Sequence, residues 1–256
     1  MIHLVVFIFG SMIGSFLNVC IYRIPREESI VSPGSRCTSC EKPILWYDNI
    51  PLLSYVILIG KCRHCKKRIS FRYFAVELIS ALAFLTLFYY FGLTAKFWIY
   101  SLVTFALIVT TFVDLEFQII PDRISLGGLV LGIILSILIP QLHNSLTWET
   151  GFMKSLLGMF AGGGLIYLTG YVGQIIFKKE SMGGGDVKLM AMLGAFLGWK
   201  MAILIFFLAP FFGTPAGLYL KFKKKQDIIP YGPYIALASF VAMIWGRKIL
   251  NMLFFY

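Results

Sequence analysis

The sequence predicts an all-α polytopic membrane protein, with about eight transmembrane helices and a small cytoplasmic zinc-knuckle insertion after the first. Three observations carry this. The 256 residues are 59% hydrophobic and only 14% charged, where a soluble globular chain carries roughly a quarter charged residues; the mean hydropathy is +0.82. Apolar runs of spanning length recur along the chain. The charges crowd into Arg23–Arg72 and a few short loops. The net charge of +11 therefore reads as basic residues held on the cytoplasmic side. The expected partner is the lipid bilayer, and no nucleic acid.

The first span is read at Ile2–Tyr22. No basic residues precede it, and Arg23 and Arg26 follow. That pattern predicts a retained helix with its N-terminus outside, not a cleaved signal peptide. Residues 23–73 form a polar, cysteine-bearing segment, and residues 74–256 carry the remaining spans. The apolar runs there are Phe74–Leu93, Phe97–Val113, Ile124–Ile139, Leu156–Phe177, Val187–Leu197, Met201–Leu220 and Tyr231–Met252. The run at Val187 is about 11 residues long, short of the roughly 17 a span needs, so it is expected to start deeper, tilt or re-enter. Ala161–Gly164 (AGGG) reads as a small-residue helix-packing face.

The loops support this orientation. Loops 23–73, 114–123, 178–186 and 221–230 fall on the cytoplasmic side. They hold Arg36, Lys42, Lys61, Arg63, Lys66, Lys67, Arg68, Arg72, Arg123, Lys178, Lys179, Lys221, Lys223, Lys224 and Lys225. The outer loops hold Lys96, Lys154 and Lys200. Arg247 and Lys248 sit in the outer half of the last run and are expected to snorkel, unless that helix ends early.

The cysteines form two CxxC pairs, CTSC (Cys37, Cys40) and CRHC (Cys62, Cys65). Each pair makes a knuckle, and two knuckles make a tetrahedral four-thiolate zinc site. Two disulfides are the competing reading, but a reducing cytoplasm favours metal. The flanking bases of KCRHCKKR help to stabilise thiolates. Four thiolates leave no open position, so the zinc is expected to be structural, stapling a segment too small to fold on its core alone. His64 reads as a solvated loop residue and Cys20 as a packing residue in the first helix.

Two aspartates stand at membrane edges on the cytoplasmic side: Asp114 ends FALIVTTFVD, and Asp186 begins GGGDVKLMAML. Ionisable groups at such positions default to a functional hypothesis. Asp186 also reads simply as a helix N-cap, whereas Asp114 faces the unfavourable end of a helix dipole. A pair sharing a site does not readily ionise twice. One carboxylate could draw a proton from water while the other polarises a carbonyl, which is aspartic peptidase chemistry. Helix polarity assigns the base to Asp186 and the acid to Asp114, although such a pair titrates as a unit. Gly183, Gly184 and Gly185 then read as a substrate loop, open to an extended peptide and free to take positive φ; the plain alternative is a flexible linker. No P-loop follows them. Asp122 reads as an N-cap and Glu116 as a solvated loop charge.

These elements together resemble the type IV prepilin peptidases, also called leader peptidase/N-methyltransferases. The resemblance runs through GSFLNVCIYRIP (Gly14–Pro25), CTSC, NIPLLSY, GKCRHC, ISFRYFAVEL, DLEFQIIPD (Asp114–Asp122), MGGGDVKLMAMLGAFLG (Met182–Gly198) and PYGPY (Pro230–Tyr234). It implies an aspartic endopeptidase of the bacterial cytoplasmic membrane, with Asp114 and Asp186 as its catalytic pair. Such enzymes remove the basic leader of type IV prepilins or type II secretion pseudopilins at the cytoplasmic face. Many also methylate the new N-terminus with S-adenosylmethionine. By position Gly60, Asn18, Arg72 and Glu77 resemble residues tied to methylation. Arg72 could also pair with Glu77. Thr38 and Phe74 stand where the family often has proline. The rival from another class is a proton-coupled transporter using Asp114 and Asp186 as relays; it expects carboxylates near mid-membrane and gives the cysteines no role. A presenilin-like protease cutting within the bilayer is a further rival, and it needs no knuckles.

Overall fold

The computed structural model describes residues 1–178, 182–224 and 230–254. Lys179, Ser181 and Lys225 lie outside the described residues. The predicted all-helical architecture is what the chain adopts: nine α-helices and no named strand among the described residues. Eight are long, and each covers one predicted apolar run. They are α1 (Ile2–Arg23), α3 (Phe71–Phe91), α4 (Ala95–Phe117), α5 (Asp122–Leu138), α6 (Trp148–Phe177), α7 (Gly184–Leu197), α8 (Trp199–Lys224) and α9 (Gly232–Phe254). The ninth, α2 (Leu53–Ile57), is a single short turn inside the cysteine segment.

Length and hydropathy qualify five of these helices to cross a membrane: α1, α3, α4, α6 and α9. The eight expected spans are thus eight helices; α5 and α7, with 17 and 14 residues, fall below that length, and α8 is apolar over Trp199–Pro215 among the residues described. Helix α7 has 14 residues, or about 21 Å at 1.5 Å per residue, against a hydrocarbon layer of about 30 Å. Helix α6 begins eight residues before the predicted run because the Thr147 hydroxyl accepts the Thr150 N–H and caps it. Lys221 to Lys224, expected in a loop, fall within α8.

The chain divides into two compact units, Met1–Val109 and Thr110–Tyr256. In the first, α1 packs on α3 through small residues, Gly10 against Ala81 and Gly14 against Glu77 and Ser80. The buried Arg23 at the end of α1 donates to the carbonyls of Ser29, Pro33 and Gly34 at 2.8, 2.7 and 3.2 Å. It thereby ties the start of the cysteine segment to the helix.

In the second unit α7 lies between α5 and α6. Its closest approach is glycine on glycine: a Cβ on Gly194 would collide with the Gly158 carbonyl, and one on Gly162 with the carbonyl of Met190. Gly162 and Gly163 of the AGGG run face α7, as a small-residue packing face requires. Gly194→Val is therefore expected to destabilise this unit by more than the ~1–3 kcal/mol of ordinary overpacking, because backbone has to move. A lowered unfolding midpoint in detergent, against an unchanged Gly164→Ala control, checks this; Gly164 meets nothing within 4 Å.

Candidate functional site: an aspartate pair and a four-cysteine centre

Both aspartates are buried within the second unit, 5% exposed at Asp114 and 8% at Asp186. Their charges interact across the site. Asp114 lies in the last turn of α4, which closes when the Gln118 N–H reaches the Asp114 carbonyl at 2.9 Å. Asp186 is the third residue of α7. The expected N-cap role is corrected here: Gly183 is the N-cap. The Asp186 N–H bonds the Gly183 carbonyl at 3.1 Å, and its carboxylate lies against Gly183, 3.4 Å from where a Cβ would stand.

The glycines before Asp186 are mostly helix. Gly183 is extended at φ −75° and ψ 145°, while Gly184 and Gly185 begin α7. None takes a positive φ. A Cβ on Gly185 would stand 2.8 Å from Ile120 Cβ, whereas Gly184 faces open space. The anticipated open glycine strand is therefore limited to Gly183, with Gly184 as an uncrowded neighbour; Gly185 is needed for packing against the loop that follows Asp114.

A third piece of the site was not read from the sequence. The Gly232 N–H, first in α9, donates to Asp114 Oδ2 at 2.9 Å. The approach leaves no room for a side chain, since a Cβ at Gly232 would sit 2.7 Å from that oxygen. Tyr231, just before it, lies within the electrostatic reach of Asp186. This geometry removes the basis for assigning the base by helix polarity. Asp114 does end α4, but it also faces the positive start of α9, so both carboxylates stand at helix N-termini. The PYGPY run was visible in the sequence. Its signal was a glycine fixed between two tyrosine-proline elements at a helix start.

Asp122 also differs from expectation. Pro121 caps α5, and Asp122 is its first residue. Its carboxylate takes Lys188 Nζ at 2.7 and 2.9 Å, joining the start of α5 to the first turns of α7. Both partners are exposed, so the pair contributes at most about 1 kcal/mol.

The four cysteines meet in the first unit. The sulfurs of Cys37, Cys40, Cys62 and Cys65 all lie within 4.8 Å of one another, and Cys37 and Cys65 are 3.9 Å apart. A tetrahedral site with Zn–S bonds of ~2.3 Å has sulfur–sulfur edges of ~3.8 Å. The four thiols are unbridged, and the donor set fits zinc. The two knuckles are built alike. In each, the first cysteine N–H bonds a carbonyl five residues on (Cys37 to Lys42, Cys62 to Lys67), and a residue at positive φ turns the chain back (Glu41 and Lys66). Backbone N–H groups of Cys65 and His64 pull the Cys62 thiol down to about 7, while the Cys40 thiol, despite the Lys42 N–H, is pushed up to about 11 by burial and the other three sulfurs. Arg63 grips Asp48 with two bonds of 2.7 and 2.6 Å, and its guanidinium holds the Asp48 carboxyl below the usual carboxylate range.

The remaining predicted residues lie in this unit. Glu77 is buried on α3 and accepts the Leu52 N–H at 2.8 Å, holding Leu52 at a positive φ of 62°. Asn18 Nδ2 donates to the Tyr73 carbonyl at 3.0 Å. Arg72 lies over the Tyr73 ring at 5.3 Å. Gly60 takes a φ of +62°, and a Cβ there would press on the Tyr55 hydroxyl at 2.9 Å, so glycine is required at this turn.

Residues 8–91 match the Bacterial Peptidase A24 N-terminal domain, and residues 101–218 match the Type IV leader peptidase family. A Prepilin leader peptidase/N-methyltransferase of Aeromonas hydrophila is 34% identical, over 95% of this chain and 91% of its own length. Those of Pseudomonas putida and Pseudomonas aeruginosa are each 32% identical over 94% of this chain, covering 90% and 89% of their own lengths. The chain belongs to the type IV leader peptidase family. No solved structure matches it significantly.

Proposed function

We propose that this protein cleaves the leader from type IV prepilins or type II secretion pseudopilins, with Asp114 and Asp186 as the catalytic pair, and methylates the amino group it uncovers. The observation that carries the peptidase reading is the burial of two carboxylates in one unit, near enough for the Asp114 charge to act on Asp186, with Asp114 held by the Gly232 N–H. Like charges so placed share one proton. The ionised member takes a proton from water as the water oxygen attacks the scissile carbonyl. The protonated member donates to the carbonyl oxygen. On collapse the C–N bond breaks, and the leaving amine takes up a proton. The basic residues of the loops support a site at the cytoplasmic face, with the N-terminus of the chain outside. A prepilin, with its basic leader before an apolar helix, then presents its cleavage point at that edge. Gly183 and Gly184 are the glycines open to its backbone. No observation favours the transporter reading, which gives the cysteine centre no task.

Methylation is assigned to the first unit. S-adenosylmethionine, when bound, supplies an electrophilic methyl group for the new N-terminal amine. Asn18, Gly60, Arg72 and Glu77 are assigned to it by resemblance. One observation supports a polar ligand there: the buried Asn18 Oδ1 and Ser80 Oγ have no hydrogen-bond partner among the described residues, and such groups are costly unless satisfied. Zinc at Cys37, Cys40, Cys62 and Cys65 orders the segment between α1 and α3.

The test is a mass spectrum of a prepilin-like peptide after incubation with the purified protein and S-adenosylmethionine. Loss of the leader and one added methyl are expected; an intact peptide across several pilin-like substrates contradicts the reading. Gly232→Ala is expected to lower cleavage by about 10²-fold, the scale of a 1 Å misplacement of a reacting group, because its new Cβ displaces the Asp114 carboxylate. Rate measurements on the folded variant check this.

A further inference from the structure

The cysteine segment carries apolar surface that its own fold leaves open. Leu53, Val56 and Ile57 of α2, and Ile59 just after it, are 59 to 81% exposed. Ile59, the most exposed of the four, takes a positive φ of 52°, a conformation that β-branched residues rarely adopt. Two contacts fix how deep α2 lies. Glu77 accepts the N–H of Leu52, the N-cap of α2. The Tyr55 ring meets those of Phe71 and Phe74 at 6.4 and 5.4 Å. All three partners belong to the first two turns of α3. Helix α3 has 21 residues, about 31 Å at 1.5 Å per residue, so Phe71 stands at the edge of a hydrocarbon layer about 30 Å thick. Helix α2 is thus held at the level of the membrane surface. The 3-10 turn Trp46–Asn49, with its exposed Trp46, is tied to α2 where Ser54 Oγ donates to the Tyr47 carbonyl at 3.1 Å. Lys61, Lys66, Lys67 and Arg68 follow, all exposed, and no acidic residue lies between Asp48 and Glu77.

We propose that α2 and the Ile59 turn form a docking surface for anionic phospholipid. Leu53, Val56, Ile57 and Ile59 enter the boundary between headgroups and acyl chains, and Lys61, Lys66, Lys67 and Arg68 meet the lipid phosphates. Apolar side chains beside a basic cluster are the combination that holds an element in the plane of an anionic leaflet. Charge argues against the other candidate occupant, because the basic leader of a prepilin-like substrate is repelled by the same four residues. The lipid surface then holds the cysteine segment against the bilayer, beside the spans α1 and α3 that flank it. The proposal goes beyond the peptidase reading and does not depend on it.

Amide hydrogen exchange on the full-length, zinc-loaded protein tests this, in vesicles of phosphatidylcholine alone and of phosphatidylcholine mixed with phosphatidylglycerol. Residues 50–60 are expected to exchange about tenfold more slowly in the mixed vesicles, the scale of one to two basic contacts with the leaflet. Salt at about 1 M, where the Debye length is about 3 Å, is expected to remove the difference. The triple variant Lys61→Gln, Lys67→Gln, Arg68→Gln is expected to exchange equally in both vesicles, with its zinc content unchanged. Equal exchange of wild type in both vesicles overturns the proposal, as does a difference that survives in the triple variant. Should the triple variant lose its zinc, Ile57→Gln has to exchange faster than wild type in the mixed vesicles, and an unchanged rate overturns the proposal. A prepilin-like peptide that slows exchange in phosphatidylcholine vesicles as much as phosphatidylglycerol does would assign this surface to the substrate and overturn it too. No cleavage is read, so failure of the peptidase reading leaves the result intact.

Discussion

Asp114→Asn and Asp186→Asn are each expected to lower leader cleavage by at least about 10³-fold, within the range of a positioned acid or base. Neither substitution changes side-chain volume much, and neither aspartate anchors a long-range ion pair among the described residues. The helices should therefore stay folded, with zinc retained. The two losses should not add. Carboxylates that share one proton act as a unit, so the double variant is expected to be no slower than the worse single one. Asp→Glu is expected to rescue neither site fully. Asp114 is fixed by the Gly232 N–H and Asp186 is buried against Gly183, and an added methylene carries each carboxylate out of its place. Leader-cleavage rates of the five variants measure all of this.

Losing the metal should have the second large effect, and a separable one. Structural zinc contributes about 10–16 kcal/mol to the folding of small knuckle domains. The segment between α1 and α3 has little else to order it: one short helix, α2, two 3-10 turns and two isolated bridges, Arg36 with Pro43 and Lys61 with Arg68. Cys62→Ser is expected to abolish zinc binding, open this segment to proteolysis between α1 and α3, and abolish methylation. Leader cleavage should persist, because every group assigned to it lies in the second unit. Zinc content, limited proteolysis and the mass of the cleaved peptide read the three effects. Loss of cleavage in step with zinc would contradict this division of labour.

Much of this arrangement was legible in the sequence because it rests on local chemistry. Apolar length located the eight long helices, and CxxC spacing singled out the four cysteines whose sulfurs meet. Asp114 and Asp186 stood out because carboxylates at apolar boundaries are costly. What was not legible depends on contacts between distant segments. Asp186 is the third residue of its helix, not its cap, because Gly185 packs on Ile120 and lets α7 begin two residues before the aspartate. Asp122 pairs with Lys188 of α7, a partner that no local rule names. The polarity argument for Asp186 as base failed because it counted only the helix that carries each aspartate. The start of α9, more than a hundred residues from Asp114, supplies the missing donor. The likeness of the two knuckles also escaped notice, because it lies in backbone turns at Glu41 and Lys66 whose side chains are unlike.

The most direct measurement is the mass of one prepilin-like peptide after equal incubation with wild type, Asp114→Asn and Asp186→Asn, each purified with its zinc. The account predicts a peptide shortened at the leader junction with wild type and an intact one with both variants. A shortened peptide from either zinc-loaded variant at a wild-type rate would show that the bond is cut by something other than this aspartate pair.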